Sequence, residues 1–322
     1  VDAHPFVPRP PGLDGSRAGH DQFGVLGGFL ADPRVTDVFV NGGQGVWVDR
    51  GDGAARVDLA LGEVEARELA VRLVALGGRH VDEATPCVDV RLGDGIRVHV
   101  VLPPVATAGV LLSIRVPRAR PPSFEELAGS GFFGGESERI RALVADRVNL
   151  LVTGAGGAGK TTLLGALLAL APPGERVVLI EDVAELRVPH PHVVCLEARQ
   201  ANLEGAGGIG LTRLVREALR MRPDRLVLGE CRGEEVRELL SALNTGHDGG
   251  AGTLHANSLA DVPARLEALG ALAGLGAEAI ARQAASAIGA VLHVERTASG
   301  RRLAAMGRFV LDERDRLTVA RW

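Results

Sequence analysis

The chain of 322 residues contains no tyrosine, and aromatic residues make up only 3% of it. Proteins that track single-stranded nucleic acid use aromatic side chains on which bases stack, so no direct nucleic-acid binding is expected. A formal net charge of −4 points the same way, since phosphate backbones are held by an excess of cations. Cysteine is scarce: Cys87, Cys195 and Cys231 lie too far apart for a metal pair or a redox motif. A reducing, cytoplasmic setting is therefore expected. Membrane-length apolar runs are missing, because residues 163–173 are too few to cross a bilayer and read as a buried helix. Residues 1–19 are rich in proline and glycine, show no signal-peptide pattern and read as a flexible leader. Lysine is the scarcest cation: of 36 basic residues one alone, Lys160, is lysine. Arginine stands everywhere else, which marks position 160 as a place where a guanidinium does not serve.

What is present divides into two patterns. Residues 20–116 show short strands at 37–40, 45–49, 88–92, 96–102 and 110–116. A helix at 64–76 among them places Leu69, Leu73 and Leu76 at helical spacing. An α+β sheet domain follows from this. Residues 117–122 (PRARPP) hold three prolines and read as a linker. In 123–322, helical patterns alternate with apolar strands at 148–152, 176–180, 193–196, 225–228 and 251–254, the signature of a mostly parallel sheet flanked by helices. The fold class is α/β.

Four motifs in the second region carry chemistry. GAGGAGKT at 154–161 satisfies G-x-x-x-x-G-K-[ST] after an apolar strand and opens a helix. The backbone N–H groups of Gly154, Ala155, Gly156, Gly157, Ala158, Gly159, Lys160, Thr161 and Thr162 would cradle the phosphates of ATP. Lys160 would hold the β- and γ-phosphates, and the Thr161 hydroxyl would ligate Mg²⁺. The alternative is a glycine-rich turn without a ligand. A second strand ends in Glu181 and Asp182, placing carboxylates where parallel sheets bind ligands, although many strands end in acids for solvation. A third ends in Glu230, suited to orient or deprotonate the attacking water, or else to cap a helix N-terminus. The fourth, TGHDGGAGTLHANS, sets His247 and His255 on either side of a short strand. A phosphate-sensing histidine, a structural pair and a metal site are the readings there, and eight residues is not a ligand spacing.

The succession GAGGAGKTT, IEDVAEL, LRMRPDRLVLGECRG and NTGHDGGAGTLHANS resembles the secretion ATPase superfamily of type II secretion, type IV pilus and type IV secretion systems, and is most similar to its tight-adherence branch. The likeness runs over about residues 30–295. It implies a PAS-like N-terminal domain joined to a RecA-like P-loop ATPase domain. It also implies Walker A, Asp box, atypical Walker B and His box roles for Lys160 with Thr161, Glu181, Glu230 and His255. Glu230 becomes the catalytic base by the same resemblance. Arg97 and Arg115 read by themselves as a solvated strand face, but the family carries a matching pair whose guanidiniums reach the terminal phosphates. Arg220, Arg222 and Arg232 match motif positions and are expected at interfaces or behind the site.

The resemblance further implies a homo-hexamer at the inner face of the cytoplasmic membrane, working on inner-membrane platform proteins of a pilus or secretion system. A traffic ATPase for conjugation-type DNA transfer shares nearly the same motifs, and a nucleotide-binding scaffold ring with little turnover is a third reading. Two departures are expected to matter. Residues 1–19 are too short for the helical region that relatives place ahead of the PAS-like domain, and no tetracysteine element is present, so zinc is not expected.

Overall fold

A computed structural model describes residues 20–116, 121–199, 207–298 and 300–322. The leader at 1–19 and most of the expected linker (117–120) lie outside the described residues. The chain divides into two compact units, Val1–Arg120 and Pro121–Trp322.

In the first unit a 3-10 helix (His20–Leu26) leads into a short helix α1 (Gly27–Leu30) and the strands β1 (Asp37–Asn41), β2 (Val46–Asp49) and β3 (Ala54–Arg56). Helix α2 (Glu63–Leu76) follows, then β4 (Cys87–Arg91), β5 (Arg97–Val101) and β6 (Leu111–Arg115). The six strands form one antiparallel sheet in the order β3-β2-β1-β6-β5-β4. Alternate residues such as Val38, Val40, Val98, Val100, Leu112 and Ile114 face a core that Ala66, Leu69, Ala70, Leu73 and Val74 of α2 cover. Leu76, expected on that face, is 54% exposed because it closes the helix and no further turn covers it.

The opposite face ends in a charged row. Asp49, Asp37, Arg115, Arg97 and Arg91 are successive cross-strand partners on β2, β1, β6, β5 and β4. Arg115 Nε donates to Asp37 Oδ1 at 3.2 Å. Three arginines side by side are a repulsive arrangement for a sheet.

The second unit contains α3 (Phe124–Gly129), α4 (Ser137–Ala145), β7 (Leu150–Gly154), α5 (Lys160–Leu168), β8 (Val177–Glu181), β9 (Val193–Glu197), α6 (Leu211–Leu219), β10 (Arg225–Cys231) and α7 (Glu235–Leu243). It continues through β11 (Ala251–His255), α8 (Val262–Leu272), α9 (Ala277–Ala287), β12 (Ala290–Thr297), β13 (Gly300–Leu311) and β14 (Leu317–Arg321). The strands form one sheet in the order β14-β13-β12-β7-β11-β10-β8-β9, parallel from β12 to β9 and antiparallel in the two strands beyond. Each central strand is buried on both faces, which is why it reads as a continuous apolar run. Leu150, Val152, Val177 and Leu179 meet α3, α4 and α5. Leu151, Val178 and Ile180 face the layer of α6 to α9. No helix of the described residues is long and apolar enough to cross a membrane.

Buried polar groups lock the end of this sheet where β7, β10 and β11 begin. Arg225, 2% exposed, donates to Glu175 and to the Val144 carbonyl, while Arg147 donates to Glu175 from the other side. Asn149 donates to the Ala287 carbonyl and accepts from the Gly250 N–H. With their partners in place these groups satisfy one another.

Candidate nucleotide site

Strand β7 delivers the glycine-rich loop at 154–161 to the carboxyl edge of the parallel sheet, where ligands of such sheets bind. The loop turns on three glycines in the left-handed region or beyond it, Gly154 at φ 153°, Gly157 at 70° and Gly159 at 103°, conformations that cost any other residue. Gly154 is also required by space, since a Cβ there would stand 2.3 Å from the Val294 carbonyl oxygen of β12.

Lys160 begins α5 and folds back into the loop, where its Nζ donates to the carbonyls of Gly154 (2.9 Å) and Ala155 (3.0 Å). Burial pushes this ammonium below its ordinary value, opposed by the carboxylate of Glu230. Glu230 sits where β10 leaves its regular register with β11, between Leu228 and Cys231. Its Oε1 lies 2.6 Å from His255 Nε2 at the end of β11, and its Oε2 accepts from Arg232 Nη2. Lys160 Nζ approaches the same His255 nitrogen at 3.3 Å. One ring nitrogen cannot accept from the lysine and donate to the carboxylate together. The shorter contact to an acceptor-only carboxylate decides for Nε2–H donating to Glu230. Burial, followed by the charge of Lys160, holds His255 below the ordinary histidine value, which fits a neutral ring with its proton on Nε2. Arg232, Glu230 and His255 thus form one chain of hydrogen bonds, with Lys160 Nζ beside it.

Glu181, 5% exposed, lies on β8 beside this chain, and its Oε1 accepts from the backbone of Glu185 (2.9 Å) and Leu186 (3.0 Å). It fills the space next to Gly229, where a Cβ would come within 2.6 Å of Glu181 Cγ. This explains in packing terms why β10 carries glycine before Glu230: the carboxylate arriving from β8 leaves no room for an acidic side chain there. Asp182 stands 4.0 Å from Arg232.

The sequence matches the family described as Type II/IV secretion system protein over residues 21–302. The chain belongs to that family. It is 50% identical over 290 residues to a putative conjugal transfer protein of Mycobacterium tuberculosis, covering 87% of this chain and 82% of that protein. It is 31% identical over 255 residues to VirB11 of Agrobacterium fabrum, with 70% and 74% covered. Among solved structures, the pilus retraction motor PilT with bound ADP shares the fold at a TM-score of 0.61 and 22% identity, over 84% of this chain and 78% of that one.

Against the four motifs of this secretion-family chain, the structure gathers Lys160, Glu230 and His255 and separates His247. That histidine precedes β11 and bonds the Ala242 carbonyl behind α7, at the opposite end of the strand from His255. Of the three motif arginines Arg232 bonds Glu230, whereas Arg220 closes α6 and Arg222 occupies a turn at φ 54°. Arg97 and Arg115 belong to the first unit, in the arginine row described above.

Two residues beside the loop escape sequence reasoning. His293 of β12, 5% exposed, bonds Thr153 Oγ1 at 2.9 Å directly before the loop. Arg301 of β13 donates from Nε to the Gly157 carbonyl at 3.0 Å. Neither lies in a motif, and only the strand pairing of the C-terminal hairpin brings them there.

Proposed function

We propose that this secretion-family chain is an ATP-hydrolysing motor, whose loop at 154–161 takes ATP and whose Glu230 activates water. The observation that carries the reading is the Glu230 carboxylate, held by His255 and Arg232 with Lys160 beside them at the mouth of the loop. ATP would draw Lys160 Nζ from the Gly154 and Ala155 carbonyls to the β- and γ-phosphates, while the loop N–H groups hold the rest. Glu230 takes the proton of the attacking water, and Arg232 and His255 set the direction of its two oxygens. His255 Nε2–H can exchange Glu230 for a γ-phosphate oxygen, so it reports whether that phosphate is present.

The donors here suit Mg²⁺. Among the described residues no cluster of three His, Cys, Asp or Glu could hold a metal, whereas Mg²⁺ is content with few protein oxygens beside phosphate and water. Thr161 supplies the hydroxyl, and the ion when bound neutralises developing phosphate charge. Glu181 anchors the turn at 182–186 beside Glu230. Arg97 and Arg115 serve turnover from the first domain.

The machine we favour is of the conjugal-transfer kind, because the relative at 50% identity carries that name. The tight-adherence or pilus assignment is the second reading, supported by the wording of the motifs. In either, the chain would act as a homo-hexamer against inner-membrane platform proteins on the cytoplasmic face. The test is Mg²⁺-dependent phosphate release from ATP by the assembled protein. Release that Lys160→Ala abolishes supports the motor. Tight ATP binding with no release in any assembly state supports a scaffold ring instead.

A further inference from the structure

The C-terminal hairpin touches the phosphate loop at both of its ends. The Val294 backbone of β12 closes against Gly154, and Arg301 of β13 bonds the Gly157 carbonyl while its Cδ lies 3.1 Å from where a Cβ of Gly159 would stand. Arg301 therefore lies against the loop from Gly157 to Gly159. The peptide joining Gly157 to Ala158 is otherwise held by a long bond, Ala158 N–H to the Ala155 carbonyl at 3.3 Å. Glycine at φ 70° lacks the Cβ that would oppose rotation of this peptide. Were it to turn, an oxygen lone pair would point into a site built of N–H donors for anionic phosphate, a repulsive substitution. A charge-assisted bond from arginine to the outward carbonyl opposes that turn.

We propose that Arg301 is a positioning residue for the phosphate loop, holding it in the form that accepts the diphosphate shared by ADP and ATP. The inference rests on the loop taking ATP, as proposed above. Its action is on the loop, so it makes no distinction between nucleotides with and without a γ-phosphate. The neighbouring Arg302 provides the control: it pairs with Glu295, its cross-strand partner on β12, and contributes similar charge to the hairpin without a bond to the loop.

The experiment measures ADP and ATP affinity, KM and kcat for the wild-type protein and for Arg301→Ala, Arg302→Ala and Lys160→Ala. Arg301→Ala should weaken ADP and ATP by the same factor, about tenfold, and raise KM to match, with kcat within about twofold of wild type. Arg302→Ala should leave both affinities intact. Unaltered affinity in Arg301→Ala, a loss confined to ATP, a large fall in kcat, or an equal loss in Arg302→Ala would each overturn the proposal. Failure of wild-type protein to bind either nucleotide, with Lys160→Ala indistinguishable from it, would instead overturn the ATP reading itself.

Discussion

Gly229→Ala probes the junction between β8 and β10. No left-handed backbone is needed at this glycine, so alanine meets only a packing objection. Its Cβ would lie 2.6 Å from Glu181 Cγ, 3.1 Å from Oε1 and 3.2 Å from Cδ. Glu181 cannot swing aside cheaply, because Oε1 is held by two backbone N–H groups. Overpacking of this kind costs about 1–3 kcal/mol, offset by roughly 0.4–1 kcal/mol from the stiffer unfolded chain. A domain of this size shifts by about 2–4 °C in Tm per kcal/mol, so a fall of several degrees is expected by calorimetry. The decisive comparison is the same change in a Glu181→Ala background, where Cγ is gone. There Gly229→Ala should be neutral or stabilising. Equal cost in both backgrounds would refute the claim that the Glu181 side chain is what excludes one at 229.

The remaining predictions concern charge and turnover. Burial holds His293 below the ordinary histidine value, so unfolding takes up a proton between the depressed native value and the ordinary one near ~6.5. Stability should be fully retained above that ordinary value and fall as pH drops below it. The slope of Tm against pH should be shallower in His293→Gln, and an unchanged slope would contradict the assignment. Arg97→Ala and Arg115→Ala should each slow phosphate release by about 10³-fold, the scale of arginine fingers. Wild-type rates in the assembled protein would remove that residue from the mechanism.

The loop and Lys160 are legible in the sequence because their chemistry is local: a fixed spacing, a strand before and a helix after. The central strands are legible as apolar runs because both of their faces are buried. Four features are not. Strands β12 to β14 and the residues they set beside the loop, His293 and Arg301, emerge only from long-range pairing. The small β3 is exposed along its length and has no apolar pattern to announce it. Gly229 looks like an ordinary glycine until the neighbouring strand places Glu181 against it. His247 and His255 look equivalent in one motif, yet the length of β11 sends them to opposite ends of a sheet with chemistry at one.

Whether the contacts around Glu230 serve hydrolysis or nucleotide binding alone is tested by Glu230→Gln, since glutamine preserves size but cannot take a proton from water. The measurement is single-turnover phosphate release alongside ATP affinity in the assembled protein. Release should fall by about 10²–10⁴-fold with ATP still bound as tightly as by wild type. Release at the wild-type rate would contradict a role for Glu230 in hydrolysis.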